Sequence, residues 1–552
     1  MKLTKSNIHI FVLSGILIVN AIFLAYWLSV DTRPLSWDPA AHMTSTIIYY
    51  YLLKSGQATF SNLVNVDTYY PPFYHLSAVP FFALGKTPDH ATFVNFIYFA
   101  ILVISVYCIA KELYNKEIAI YSSLFISVFA PVLTMELSFL IELALISLVT
   151  LSICFLVKSK GFTDLKYSVL FGISLGIAEL TKWTAAIFII PPAIWIIYQK
   201  LRETNTQIND LKLSLKLLTS NVCLNCGKKV ERTSKHKNFC SSECFKKWKK
   251  SGNNTPLIIK SMIIGLVIST VLCIIVAAPW YMPHFSEVYQ RVFVTQQQIG
   301  KLEGDPEIFS LESIIYYLNS LLRSLTIFII LPVVLLVYAR IRKIIRLKQL
   351  ALLIVWLVVP YMILTFLMRN KDGRYILPTI PVFAIILAFL IYYAIKNTNL
   401  RKAVVGIILV LGIINTATTI PKPAAEDWKI EEIISTIASD LHKNRELVKN
   451  GVVVGVIQDH VYINGRTLQY YTYQLGYGFT VINCAYIPEE TFYKNFRIFD
   501  YIIIKTGSYS SPYKNITDRM YEFFMKHRKE FAKISTFDLP DKSKAIIYRR
   551  AT

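Results

Sequence analysis

From residue 8 to residue 420 the chain alternates long apolar runs with short polar and basic connections. The first run, Ile8–Val30, is long enough to cross a bilayer and ends without a small-x-small cleavage site, so it reads as a retained helix and not a signal peptide. Hydropathy places further spans near 91–111, 117–135, 139–157, 167–181, 184–199, 257–279, 312–338, 350–368, 374–395 and 402–420. The run 73–84 is too short to span and reads as an interfacial or re-entrant piece. The pattern predicts a mostly α, polytopic bundle of about eleven spans. No inverted internal repeat is visible, and an odd number of spans does not divide into halves.

After Pro421 the pattern becomes that of a soluble α/β domain. Helices are predicted near 428–441, 467–475 and 518–529, and strands near 452–458, 479–483 and 501–505. Their alternation points to a small parallel or mixed sheet. It carries no glycine-rich phosphate fingerprint, so no nucleotide is assigned to it.

Composition agrees with the membrane reading: 54% of residues are hydrophobic and 17% charged. The net charge of +23 would suggest nucleic acid in a soluble protein. Here the basic residues fall in short loops, where the positive-inside bias and contact with anionic membrane lipids account for them, and nucleic acid is disfavoured. Lys2, Lys5, Lys111, Lys116, Lys158, Lys160, the segment 199–254, Arg340, Arg342, Lys343, Lys396, Arg401 and Lys402 then share the cytoplasmic side. The N-terminus lies inside and the C-terminal domain outside, in a multi-pass protein of the cell membrane. The expected division is 1–420 for the membrane domain, with 31–90 its first outer loop, and 421–552 for the outer domain. Asn515-Ile516-Thr517 is a glycosylation sequon on the outer side.

Of eight cysteines, Cys108, Cys154 and Cys273 lie in predicted spans as packing residues, and Cys484 is alone in the outer domain. The other four, Cys223, Cys226, Cys240 and Cys244, form two pairs with the spacing of a tetrahedral, structural zinc site within an insertion at 218–252. His236 is a substitute ligand that four cysteines make unnecessary. Lys246, Lys247, Lys249 and Lys250 after it would rest on anionic headgroups or hold a partner.

The orientation gathers several polar features on the outer face: the loop 31–72, Glu136 and Glu142, the segment 280–311, and Arg369 to Arg374. In Trp37-Asp38-Pro39-Ala40-Ala41-His42, Asp38 reads either as the N-cap of a helix to about residue 53 or as a functional carboxylate, with His42 one turn on along the same face. Carboxylates at membrane depth face a polar cavity or a cation, which singles out Glu142 over Glu136 without excluding the latter. Glu179 and Lys182, three apart, would neutralise each other or bind an anion. Arg374 either snorkels to headgroups or grips a phosphate through its two-pronged guanidinium.

Taken in order, Trp37 to His42, then Tyr69-Tyr70-Pro71-Pro72-Phe73-Tyr74, Gly176-Ile177-Ala178-Glu179-Leu180-Thr181-Lys182 and Lys371-Asp372-Gly373-Arg374-Tyr375-Ile376-Leu377-Pro378 with Pro381 resemble the GT-C glycosyltransferases. The likeness is to the dolichyl-phosphate-mannose protein mannosyltransferase group and its aminoarabinose-transferase relatives, over about residues 8–420. It implies transfer of a sugar from a polyprenyl-phosphate donor to a protein, lipid or glycan acceptor on the outer face. That group's first loop usually carries paired acidic residues, whereas here Asp38 stands alone before a proline, which argues against a metal held there by adjacent acids. Its second acidic position matches Glu142, or else Glu136.

The resemblance makes Asp38 the general base on the acceptor, with a pKa raised by partial burial. Arg374, Lys182 and His42 would bind the donor phosphate, and attack opposite that phosphate would invert the anomeric centre. The competing reading is a transporter, or a sensor coupling the outer domain to the zinc module.

Overall fold

The computed structural model describes residues 7–551 apart from 207, 220–221, 224, 227, 229, 231–238, 252–254 and 445–450. His236, Lys2 and Lys5 lie outside the described residues, as do the side chains of Lys249 and Lys250.

A bundle of long helices carries a small α/β domain at one end. Among the described residues, eight helices are long and apolar enough to cross a membrane, nine if Lys116–Ile126 and Ala130–Glu136 form one span bent by 59°. Pro131 sits at the start of the second segment and cannot continue the hydrogen-bond ladder of the first, which accounts for the bend. Glu142–Lys158 and Leu165–Glu179, of 17 and 15 residues, are shorter but pack within the same bundle, so the eleven expected passes meet eight or nine that qualify on their own. The piece predicted at 73–84 is a separate 13-residue helix, Phe73–Gly85, held against Trp37–Lys54.

Burial follows position in the bundle. Gly373–Ala394 is mostly enclosed, whereas Ile8–Val30 leaves Ile18, Val19 and Ile22 outward, each more than half exposed. Apolar side chains on so many outer helix faces make sense only against lipid. The protein is a multi-pass membrane protein.

Hydropathy misplaced one connection. The segment 280–311, expected as an outer loop, is largely helix: Thr255–Gln290 runs for 36 residues through Pro279 and Pro283 and continues by a π turn, Arg291–Thr295, into Gln296–Leu302. At 1.5 Å per residue those 36 residues measure about 54 Å, well beyond a hydrocarbon core of about 30 Å. The excess projects beside the loop 31–72 and is tied to it. Trp280 Nε1 donates to the Asp67 carbonyl at 3.3 Å, and Gln296 Nε2 to the Tyr69 hydroxyl at 2.7 Å.

The C-terminal domain holds strands β1 Val453–Val456, β2 Thr480–Asn483, β3 Tyr501–Lys505, β4 Phe531–Asp538 and β5 Lys544–Arg550, in the order β2-β1-β3-β5-β4. The first three are parallel, as their alternation with helices predicts, and β5 and β4 add an antiparallel hairpin. The hairpin escaped the sequence reading: its outer strand, Phe531–Asp538, breaks strict alternation at Phe531-Ala532 and Ser535-Thr536 and is only partly buried. Apolar clusters lie on both faces of the sheet, one around Ile433, Val454 and Ile547, the other around Ile502, Met520 and Phe524. The sequon lies in the first turn of helix Lys514–Lys526 and not in a loop, with Thr517 buried.

The α/β domain and the cysteine insertion occupy opposite ends of the bundle. Helix Ala185–Glu203 starts beside Lys182, near the α/β domain, and its 19 residues carry the chain about 28 Å away before the insertion begins.

Small residues let Leu165–Glu179 and the long helix from Thr255 approach closely. A β-carbon added at Gly172 would lie 2.4 Å from the Ser269 carbonyl oxygen, and one at Gly265 would lie 2.1 Å from the Phe162 carbonyl oxygen. Backbones meet there as in small-residue packing between membrane helices. Gly172→Val is expected to push Leu165–Glu179 off the long helix and to destabilise the detergent-solubilised protein by about 1–3 kcal/mol. A melting curve checks this, with Gly15→Val, at an open position, as the neutral control.

Candidate active site

Helix Trp37–Lys54 begins after Ser36, whose extended backbone occupies the capping position. Asp38 is therefore not the cap. It lies in the first helical turn, and its side chain is turned to two arginines. Asp38 Oδ2 receives Arg374 Nη2 at 3.1 Å, and Oδ1 receives Arg466 Nη1 at 2.5 Å.

Arg374 opens a 3-10 turn, Gly373–Thr379, whose cap is Asp372. The Asp372 carboxylate accepts from the Arg374 backbone N–H at 2.8 Å and grips the guanidinium at Nε, 2.8 Å, and Nη2, 2.6 Å. The position of Arg374 is thus fixed from within its own turn. Glu142, at the head of its helix and 4% exposed, lies 4.0 Å from Arg374 Nη1 and accepts from Lys182 Nζ at 3.0 Å. Lys182 pairs with Glu142 and not with Glu179, because the turn 180–184 takes its side chain back toward the bundle interior; Glu179 instead meets the Tyr281 hydroxyl at 3.4 Å. Lys182 also lies 5.0 Å from the centre of the Tyr375 ring.

Asp38, Glu142, Lys182, Arg374 and Tyr375 line one narrow cleft with His42, Tyr69, Tyr70, Gln296 and Met368. It encloses about 40 Å³, room for water but not for a sugar phosphate. Three cations, Arg374, Arg466 and Lys182, face three carboxylates, Asp38, Asp372 and Glu142, so the site is closely balanced in charge.

Two expectations change here. The Asp38 pKa was expected to be raised. Burial does push it up, but the charges of Arg374 and Arg466 overcome burial and hold it at about 2. His42 was expected as a cation. Burial and then the neighbouring His75, 3.0 Å away between Nδ1 and Nε2, keep its pKa well below the ordinary histidine value, so the ring is neutral. It offers a hydrogen bond rather than charge.

Glu136 stands apart from the cleft. It is fully buried against Asn20, whose Nδ2 donates to it at 2.7 Å, and among the described residues no cation pairs with it. The two acidic candidates, six residues apart in sequence, thus occupy different environments. Arg466 escaped the sequence reading altogether, since it lies in the α/β domain and nothing local marks it. Asp372 was visible in its motif but had no assigned role.

At the other end, the sulfur atoms of Cys223, Cys226, Cys240 and Cys244 all lie within 4.8 Å of one another. The Cys226–Cys240 and Cys240–Cys244 separations are both 3.5 Å. The Cys223 N–H donates to the Lys228 carbonyl at 2.8 Å, closing the first knuckle. This is the one cluster of metal-ligating side chains found among the described residues.

Comparisons place this bundle and its α/β domain among known proteins. Residues 70–222 match the family model described as dolichyl-phosphate-mannose-protein mannosyltransferase. The structure of ArnT from Cupriavidus metallidurans in the apo state aligns over 97% of both chains, with TM-score 0.54 and 12% identity. The same protein bound to undecaprenyl phosphate aligns over 98% of both, at 0.52 and 13%. The oligosaccharyltransferase AglB from Archaeoglobus fulgidus, in complex with an inhibitory peptide and a dolichol-phosphate, aligns over 99% of this chain and 75% of its own, at 0.56 and 11%. No curated protein sequence matches the chain. The chain has the GT-C glycosyltransferase fold, and its resemblance is to the mannosyltransferase and ArnT-like members of that superfamily.

The two buried acids should behave differently when neutralised. Glu142→Gln leaves Lys182 buried without its counter-charge, a loss of about 3–5 kcal/mol, whereas Glu136→Gln, with no cation to strand, should stay within about 1 kcal/mol. Melting of the two purified variants separates them.

Proposed function

We propose that the protein is a glycosyltransferase that moves a sugar from a polyprenyl-phosphate donor to a protein, lipid or glycan acceptor on the outer face of the membrane. The observation that carries this reading is the cleft itself: Asp38 and Glu142 meet Arg374 and Lys182 at one end of a GT-C bundle. Solved relatives of the same fold hold undecaprenyl phosphate or dolichol-phosphate, which supports a lipid-phosphate donor. The basic connections at the opposite end support an orientation with that end and the N-terminus in the cytoplasm and the α/β domain outside.

In the proposed mechanism the donor phosphate enters between Arg374 and Lys182 and takes over hydrogen bonds now made to Asp38 and Glu142. That exchange begins to make Asp38 a base. Relieved of cationic charge, its carboxylate becomes more basic and accepts the proton of an acceptor hydroxyl as that oxygen attacks the anomeric carbon. The bond from that carbon to the phosphate oxygen breaks with its electron pair, and the guanidinium and ammonium stabilise the developing charge. Attack from the side opposite the phosphate inverts the anomeric centre. His42, neutral and backed by His75, forms part of the wall.

The four cysteines would hold zinc as a structural ion. A tetrahedral site with bonds of about 2.3 Å places its sulfurs about 3.8 Å apart, close to the 3.5 to 3.9 Å seen between Cys226, Cys240 and Cys244. Zinc there fixes the knuckles and takes no part in sugar transfer.

Asp38→Asn should lower transfer from a labelled dolichyl- or undecaprenyl-phosphate hexose by roughly 10²–10⁴-fold while the melting curve shows a folded bundle, and the wild-type product should carry the anomer opposite to the donor. Undiminished transfer by the variant would sink the proposed base. Metal analysis of the purified protein should find about one zinc, lost in Cys226→Ser with sugar transfer retained.

A further inference from the structure

We infer that Arg466 gates the carboxylate of Asp38: it stays on Oδ1 after the donor phosphate has drawn Arg374 from Oδ2, so that the base is fully released only when the acceptor displaces it. This rests on the glycosyl-transfer reading above.

The argument starts from the two oxygens of Asp38, each with its own arginine. Arg374 on Oδ2 is anchored from inside the bundle by Asp372 and faces Glu142 as well. Among the described residues, Arg466 on Oδ1 has Asp38 as its one ion-pair partner, with its guanidinium 5.0 Å from the centre of the Tyr486 ring. Its side chain is 38% exposed, against 27% for Arg374. Of the two, Arg466 is the one with solvent to move into and little else to lose.

Arg466 also belongs to a different body. It sits at the start of helix Gly465–Gln474, pressed so closely on the end of β2 that a β-carbon at Gly465 would lie 2.4 Å from the Asn483 nitrogen. The sheet therefore sets where the helix, and Arg466, can stand. Polar bonds seat this part of the α/β domain on the active-site loop: Thr467 Oγ1 donates to the Leu35 carbonyl at 2.8 Å, and Trp37 Nε1 to Asp459 at 3.1 Å. Hydrogen bonds of this kind part at modest cost, since water replaces each one. An acceptor approaching from the α/β side meets Arg466 before it meets Asp38.

The consequence is protection of the donor. With Arg466 on Oδ1, Asp38 keeps one cationic partner after the phosphate has drawn Arg374 from Oδ2, and a water in the cleft meets a carboxylate too weakly basic to deprotonate it. When an acceptor hydroxyl displaces Arg466, its oxygen bonds to the anomeric carbon, its proton passes to Asp38, and polyprenyl phosphate departs with the electron pair of the broken bond. Water in the same position gives the same balance, with free sugar as product. Loss of Arg466 should therefore open the path to hydrolysis, an effect that a merely structural arginine would not have.

The test uses the full-length protein with a panel of labelled dolichyl- and undecaprenyl-phosphate hexoses. Free hexose is measured without acceptor, and transferred hexose with a membrane extract supplying acceptors. Arg466→Gln should raise free-hexose release about tenfold over wild type, part of the roughly 10²–10⁴ a positioned base contributes, and Asp38→Asn in the same chain should abolish the gain. Arg466→Lys, which keeps the charge without the fork, should give a smaller rise and remains decisive if the glutamine variant melts early. Wild-type transfer with unchanged release in both variants overturns the gate alone. A wild type that neither transfers nor hydrolyses any donor overturns the glycosyl-transfer reading and the gate together.

Discussion

Asp38 stands between two arginines that reach it from different parts of the protein, and the architecture around it is largely the means of holding that arrangement. Arg374 arrives from a 3-10 turn at the head of a buried helix, and Arg466 from the first turn of a helix in the α/β domain. A partly buried carboxylate alone would be driven toward protonation, and a partly buried guanidinium alone would draw in water. Together they remain charged, because each supplies what the other loses on leaving water. The domain interface and the cleft are therefore not separable features. The same ion pair that seats the α/β domain also sets the basicity of Asp38.

The long helix from Thr255 and the loop 31–72 complete this frame. Asp67 accepts from the backbone N–H groups of Tyr69 and Tyr70, which turns both rings toward the cleft. Gln296 and Arg291 then meet Tyr69 from the projecting part of the long helix. The projection does for this wall what Asp372 does for Arg374: it fixes a group from behind, leaving its front to the cleft.

Much of this was legible in the sequence because it depends on local chemistry. Basic loops and apolar runs set the path of the chain, and Arg374 and Glu142 were visible where a polar motif met the end of a span. What escaped depends on distance or on a turn. Glu142 was favoured but Glu136 could not be excluded, because the short connection 137–141 decides which of them looks into the cleft. The extension past Pro279 was invisible to hydropathy, since Pro283 and scattered polar and charged residues interrupt the apolar run. Arg466 was beyond reach, as its partner lies 428 residues away in sequence. The pKa of Asp38 was misjudged for the same reason. Burial can be guessed from surroundings in sequence, but a second arginine from another domain cannot.

The close charge balance of the cleft bears on how such a site could work. Three cations facing three carboxylates leave little net attraction for an anionic donor at long range. A phosphate must gain its hydrogen bonds by exchange, and each carboxylate it displaces becomes more basic in the process. The exchange at Lys182 would act on Glu142, 4% exposed, where an unpaired charge is costly; the exchange at Arg374 would act on Asp38, whose side chain is 28% exposed and borders the α/β domain. The carboxylate that can tolerate losing a cation is thus the one an acceptor can reach. This asymmetry, more than the presence of an acid in the first loop, is the physical argument for assigning the base to Asp38 and a holding role to Glu142.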